Sequence, residues 1–335
     1  MFQHPLIGLS FWIFMFLMVW MWLVNGSDLF QVGAFSSSYL FALGIPWLML
    51  HAGEKTSFRP ERYFLMMSWS TVLVGIYGVS IVVFNGFDAG FLPEHSWTYK
   101  FREEFARHTG LHPPYYGLFA SASIVFFLHS KALIHRRILY FLRWLPIIFL
   151  SGLLLALETR IHLLTLFPLL ILFSPSARLP LLVLLFLVGI VMWWRPQSRF
   201  QELIERTPNS ATLRWESWRC GWQVFRENPW TGAGAASVQS RLDACYAGKS
   251  PGLLHMNTHN QFLHFLASGG GVPFILWLFE CGLIIYVFGI RKNFPALICT
   301  GVFLAFCCTE NVMERQWGGC FMGFLTGLAW NSLKE

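Results

Sequence analysis

His255, His259 and His264 fall within a short stretch that also holds Asn257, Thr258 and Asn260. Three readings suit such a cluster. A zinc site would use His255 and His259, four apart on one helix face. The zinc-protease pattern needs Glu after the first His, and Met256 stands there. Pro251-Gly252 and Asn257-Thr258 also set the expected helix start near Thr258, which takes His255 off the helix. No metal is expected. In the second reading, Asn257 or Thr258 caps a helix continued by Phe262, Leu263, Phe265 and Leu266, and His259 sits in its first turn. There the helix dipole favours a neutral imidazole, which near pH 7 accepts a proton as a general base must. Free backbone N–H groups at the same end can hold an anion. The third reading is a polar residue capping a helix that enters a membrane. The residues alone leave the last two open.

Cationic and acidic residues extend the candidate site. Arg160 follows Glu158-Thr159 in a very short turn between apolar segments. It either snorkels or pairs with Glu158, or it points inward as a forked donor for phosphate oxygens. Arg214 opens Arg214-Trp215-Glu216-Ser217-Trp218, which reads as a helix lying on the membrane surface. Glu280 falls inside an apolar segment, where an ionisable group is functional by default, though a structural role suits it as well. Glu310 and Glu314 flank a late turn and can line the same basin as His259. Gly248-Lys249-Ser250 resembles a P-loop tail, but Asp243 stands where that motif needs a glycine. Gly232-Ala233-Gly234 is too short for a dinucleotide fingerprint and reads as a turn after Asn228-Pro229.

The elements that must hold these groups are apolar. Of 335 residues, 55% are hydrophobic, 18% aromatic and 12% charged. A soluble domain carries about 25% charged residues. This balance, with a mean hydropathy of +0.52, excludes a cytosolic enzyme, a disordered chain and a disulfide-stapled secreted scaffold. Residues 5–27, 29–50 and 63–87 contain no Asp, Glu, Lys or Arg. Runs of 18 or more apolar residues read as membrane-spanning helices. The expected fold is an all-α polytopic membrane protein, one integral domain over 1–335. About ten spans are expected, near 6–24, 30–50, 64–84, 113–129, 138–157, 161–174, 179–194, 272–290, 294–309 and 316–332. Two hydrophilic stretches interrupt them, 85–112 and the longer 195–258. The first apolar block is too long for a cleaved signal peptide, with no basic residue before it.

Basic residues set the expected orientation. With a cytoplasmic N-terminus, the inside loops and tail carry ten Lys and Arg, and the short outside loops carry five. Both termini are then cytoplasmic and 195–258 lies outside. That stretch holds eight basic residues against five acids, which suggests an anionic ligand on that side. The pI near 9.2 is read the same way, and no nucleic-acid partner is expected. Only Cys220 and Cys245 share a hydrophilic stretch. An oxidising compartment would allow them to pair if their Cα atoms lie within about 7 Å; bonded and free states both stay open.

The second half resembles the superfamily of O-antigen ligases and polymerases, glycosyltransferases of the bacterial envelope. Arg160 stands at the head of a span. Then come Arg214 with its aromatic run, Glu227-Asn228-Pro229-Trp230-Thr231-Gly232-Ala233-Gly234, Tyr246, and His259-Asn260 followed by Gly270. Thr309-Glu310-Asn311 through Gly318-Gly319 share the family look, as does Arg107-His108-Thr109-Gly110 leading to His112-Pro113. The resemblance covers roughly 101–330. Pro273 replaces the family's last glycine, and Thr159-Arg160-Ile161 replaces its Ser-Arg-Gly-like turn. The resemblance implies a GT-C-like, metal-independent, inverting transferase of the cell inner membrane that needs no cofactor. Its donor would be a glycan on undecaprenyl diphosphate, used on the periplasmic face. The acceptor would be lipid A–core in a ligase, or a second lipid-linked glycan in a polymerase. Arg160 and Arg214 would hold the donor diphosphate, and His259 would activate the acceptor hydroxyl. Asn260, Tyr246 and Glu310 complete the expected substrate-binding set. Trp215, Trp218, Trp222 and Trp230 would stack on sugars or anchor among the membrane lipids. A transporter with a basic vestibule is the competing class, but no inverted symmetry is visible.

Overall fold

The computed structural model describes residues 4–24, 40–51, 60–84, 97–130, 141–175, 211–247 and 251–334, with short pieces at 178–179, 182–183 and 186. All regular structure among these residues is helical. In chain order the helices are α1 (Pro5–Val24), α2 (Leu40–His51), α3 (Pro60–Phe84), α4 (Trp97–Thr109), α5 (Pro113–His129), α6 (Trp144–Ala156) and α7 (Arg160–Phe173). They continue as α8 (Ala211–Glu227), α9 (Val238–Ala247), α10 (Gln261–Gly269), α11 (Gly271–Ile290), α12 (Phe294–Cys307) and α13 (Gln316–Lys334). Seven expected spans coincide with α1, α3, α5, α7, α11, α12 and α13 to within a few residues. The expected spans 30–50 and 138–157 are described as 40–51 and 144–156. Most of the expected span 179–194 lies outside the described residues.

The surface is that of a membrane protein. By length and composition, Arg62–Phe84 and Gly271–Ile290 each suffice to cross a bilayer among the described residues. Leu40–His51, Trp144–Ala156, Arg160–Phe173 and Phe294–Cys307 are shorter apolar helices. On α3, Met66 and Leu73 stand exposed, as do Ile275, Phe279 and Tyr286 on α11. Water would make such apolar faces costly; lipid does not.

The chain divides into two compact units. The first comprises Met1–Phe58, Pro208–Ala296 and Phe306–Glu335, and the second Arg59–Thr207 and Leu297–Ala305. In the first unit, α11 packs against α1, α10 and α13. Glu280 lies buried on α11, and its Oε1 accepts a hydrogen bond from Ser10 Oγ of α1 at 2.6 Å. Ser10 in turn accepts from Trp330 Nε1 of α13 at 3.0 Å. An intramembrane carboxyl therefore ties three helices together. In the second unit, α5 is the central helix, buried along most of its length and packed on α3, α6 and α7. Pro113 and Pro114 start α5, where a missing N–H costs nothing. The hydrophilic stretches carry helices among their described residues: α4 lies within 85–112, and α8 and α9 lie within 195–258.

Candidate functional site

The site of the first unit is built where α8, α9 and α10 meet. A disulfide joins Cys220 of α8 to Cys245 of α9, with Cα atoms 5.8 Å apart. Val224, Val238, Leu242, Tyr246 and Ala267 pack around it. Full burial of a Val or Leu side chain is worth about 1.5–3 kcal/mol, so these residues make a core for a segment lying outside the apolar spans.

A glycine turn locks this core to α10. The N–H groups of Ala233 and Gly234 donate to the carbonyls of Ala267 and Ser268 at 2.7 and 2.8 Å, and Gly271 N–H donates to Pro229 O at 2.8 Å. The two backbones run so close that a Cβ on Gly270 would collide with the Trp230 carbonyl oxygen. Gly270 also holds φ +80 and Gly232 φ +65, where a side chain is strained.

The helix starts later than the residue types suggest. Asn260 is the N-cap, its side chain accepting from Leu263 N–H at 3.1 Å, and α10 begins at Gln261. His259 therefore stands before the helix, not in its first turn, and the dipole argument for it falls away. The reason is local. Asn257 Oδ1 accepts from His259 N–H at 2.9 Å, an Asx turn that competes with helix. The turn leaves His259 in the left-handed region at φ +46. Non-glycine residues there are uncommon and mark turns or functional strain.

Polar groups of residues 311–314 fix this turn. Asn260 N–H donates to Asn311 Oδ1 at 2.9 Å, and Met313 N–H donates to Gln261 Oε1 at 2.6 Å. Asn311 Nδ2 donates to Glu314 Oε2 at 3.0 Å, while Glu314 Oε1 pairs with His264 Nε2. Burial would raise the Glu314 carboxyl, but the His264 imidazole, the Asn311 amide and Arg315 together hold it below its ordinary value. This lattice sets Glu310 beside His259, with Glu310 Oε2 3.4 Å from His259 Nδ1. Both side chains remain partly open to solvent.

Arg214 lies exposed near the start of α8. Ser217, three residues on, donates to the Arg214 carbonyl at 2.8 Å, and its hydroxyl lies 3.3 Å from the Thr258 carbonyl. The helix carrying Arg214 is thus fastened to the residue before His259. Tyr246 is fully buried in the disulfide core; burial and then Asp243 push its hydroxyl up. Asn260 serves as the cap. Of the expected substrate-binding residues, Tyr246 thus sits in the disulfide core and Asn260 beside His259. His255 pairs with Asp243 at 3.2 Å, so His255 and His259 face different carboxylates. Arg160 belongs to the second unit, as the first residue of α7, with its side chain partly buried. Asn257, expected as a helix cap, instead turns the backbone at His259, and Asn311, expected only within the stretch 309–319, holds the cap residue. His264 was visible, but its carboxylate partner was not.

The described residues are helical, with apolar faces suited to lipid, and this is the architecture of a helical membrane protein. The comparisons narrow it. A family model described as O-antigen ligase matches residues 114–278, so this segment is similar to the O-antigen ligase and polymerase superfamily. The matched segment includes Arg160, Arg214, Tyr246, His259 and Asn260, and ends before Glu310. The activity class that goes with this family is O-antigen ligase- or polymerase-type glycosyl transfer in a membrane. No curated protein matches the chain.

Proposed function

We propose that this protein transfers a glycan from undecaprenyl diphosphate to an acceptor hydroxyl on the periplasmic face of the inner membrane, as an O-antigen ligase does with lipid A–core. The observation that carries this reading is the His259–Glu310 pair, held on a left-handed backbone in a membrane protein similar to this family. A carboxylate only accepts, so Glu310 favours the tautomer with the proton on Nδ1 and leaves the Nε2 lone pair available. Nε2 takes the proton of the acceptor hydroxyl. The oxygen attacks the anomeric carbon as the bond from that carbon to the diphosphate oxygen breaks. Undecaprenyl diphosphate leaves with the electron pair, and the configuration inverts. By family resemblance Arg214 and Arg160 bind the diphosphate, whose growing charge needs cations already in place. Neither metal nor cofactor enters this scheme.

The test is transfer by purified protein given a lipid-linked glycan and either lipid A–core or a second lipid-linked glycan. A ligase glycosylates the first acceptor and releases undecaprenyl diphosphate. Chain growth on the second acceptor alone would assign the protein as a polymerase. Release of no undecaprenyl diphosphate with either acceptor would leave a transporter and end the transferase reading.

A further inference from the structure

The turn before α7 holds a buried charge that this scheme does not use. The Glu158 side chain is 2% exposed, and its Oε2 lies 3.9 Å from Arg102 Nη1 of α4. That separation is an ion pair but too long for a hydrogen bond. Glu158 Oε1 is buried with no hydrogen-bond partner among the described residues. A carboxylate withdrawn from water in this way is costly. Its placement is nonetheless imposed by the backbone. Glu158 sits at φ +48, with its N–H on Leu155 O at 3.0 Å and its carbonyl accepting from Arg160 N–H at 2.9 Å. Thr159 donates both its N–H and its hydroxyl to Leu154 O. Strain and an unmet acceptor in one turn point to a ligand that meets it.

The ligand chemistry follows from the charges. Arg102 and Arg160 are forked donors that suit phosphate oxygens. The unmet carboxylate oxygen needs a donor, such as a hydroxyl. A sugar diphosphate presents both. We propose that Arg102 is a further ligand of the donor diphosphate, and that Glu158 accepts a hydrogen bond from a hydroxyl of the sugar attached to it. This rests on the reading of Arg160 as a diphosphate ligand.

Binding of two probes to the full-length protein in nanodiscs tests it: inorganic pyrophosphate, and a synthetic glycan on polyprenyl diphosphate. Arg102→Gln should weaken both by about tenfold or more, the loss of a charge-assisted bond. Arg102→Lys, which keeps the charge, should recover part of that affinity. Glu158→Gln should separate the probes. Binding of the lipid-linked glycan should fall about tenfold, while pyrophosphate should bind as well or more tightly, since a nearby negative charge is gone. A simple staple between α4 and the turn gives another pattern. Unchanged binding in Arg102→Gln, or loss of both probes in Glu158→Gln, would overturn the proposal. Arg160→Ala separates the two levels. Normal pyrophosphate binding in that variant would remove the diphosphate reading at this turn. Weakened binding there, beside a normal Arg102→Gln, would remove Arg102 alone.

Discussion

The backbone at His259 is bent to present its ring. Asn257 draws in its N–H, Asn311 holds the next residue, and the imidazole is left beside Glu310. His259→Ala should therefore insert and fold, because the lattice rests on its neighbours. Glycan transfer should drop by about 10²–10⁴, the usual cost of a lost general base, with donor binding kept. Near-normal transfer at normal expression would leave His259 structural and make Glu310 the next base to test. Glu310→Gln asks what the carboxylate adds. If it orients the ring, kcat should fall at least about tenfold while KM for the lipid-linked donor stays level. A rise in KM alone would return Glu310 to substrate binding. Glu314 is the neighbour with a pH signature. Its carboxyl titrates below the ordinary value near 4.5 in the folded protein. Such a group adds stability above the ordinary value and loses it as pH falls through the lower, folded one. Thermal unfolding followed from about pH 6 to about pH 3 should show that acid-side loss. Glu314→Gln should be less stable at the upper end and flatter across the range. An identical slope in the variant would mean that other carboxyls carry the acid transition.

At the scale of elements, the interlock between the turn at 228–234 and the end of α10 is a tightly constrained join in the first unit. Gly270→Ala places a methyl against the Trp230 carbonyl at a positive φ. The expected result is loss of most folded protein, read by size-exclusion of detergent extracts. Gly252→Ala, with open space around it, is the control and should behave as wild type. A Gly270→Ala protein as abundant as that control would show the join to be looser than its geometry. The apolar helices were legible because runs such as 64–84 have one reading at membrane length. Residue type alone marked the candidates for chemistry, and two of them, His259 and Arg214, stand on elements fastened together at Ser217 and Thr258. The start of α10 was misread by a few residues because three adjacent side chains, Asn257, Thr258 and Asn260, all suit a cap. What chose among them was Asn311, some fifty residues away. The Cys220–Cys245 bond stayed open for the same reason: residue type names a possible partner, and only packing brings the two together. Helix α4 went unseen within a polar stretch because its stability comes from packing on α3, α5 and α6.

For the whole molecule, helix order ties the site to one end of the first unit. The segment 257–270 precedes α11, which runs away from it to Ile290. When the chain re-enters this unit at Phe306, residues 308–315 arrive beside 257–264, as the bonds to Asn311, Met313 and Glu314 show. Helix α13 then leaves again toward Lys334. Arg291, Lys292 and Lys334 thus sit at helix ends remote from His259. Excess basic residues mark the cytoplasmic side, so His259 and Glu310 should face outward with the C-terminus inside. One labelling experiment tests the whole arrangement. Met256 is exposed; Met256→Cys in a Cys308→Ser background should react with an impermeant maleimide in intact spheroplasts. A cysteine appended after Glu335 should react only once the membrane is opened. The reverse pattern would place the His259–Glu310 pair in the cytoplasm, where a periplasmic transfer is impossible and the Cys220–Cys245 bond would face a reducing compartment.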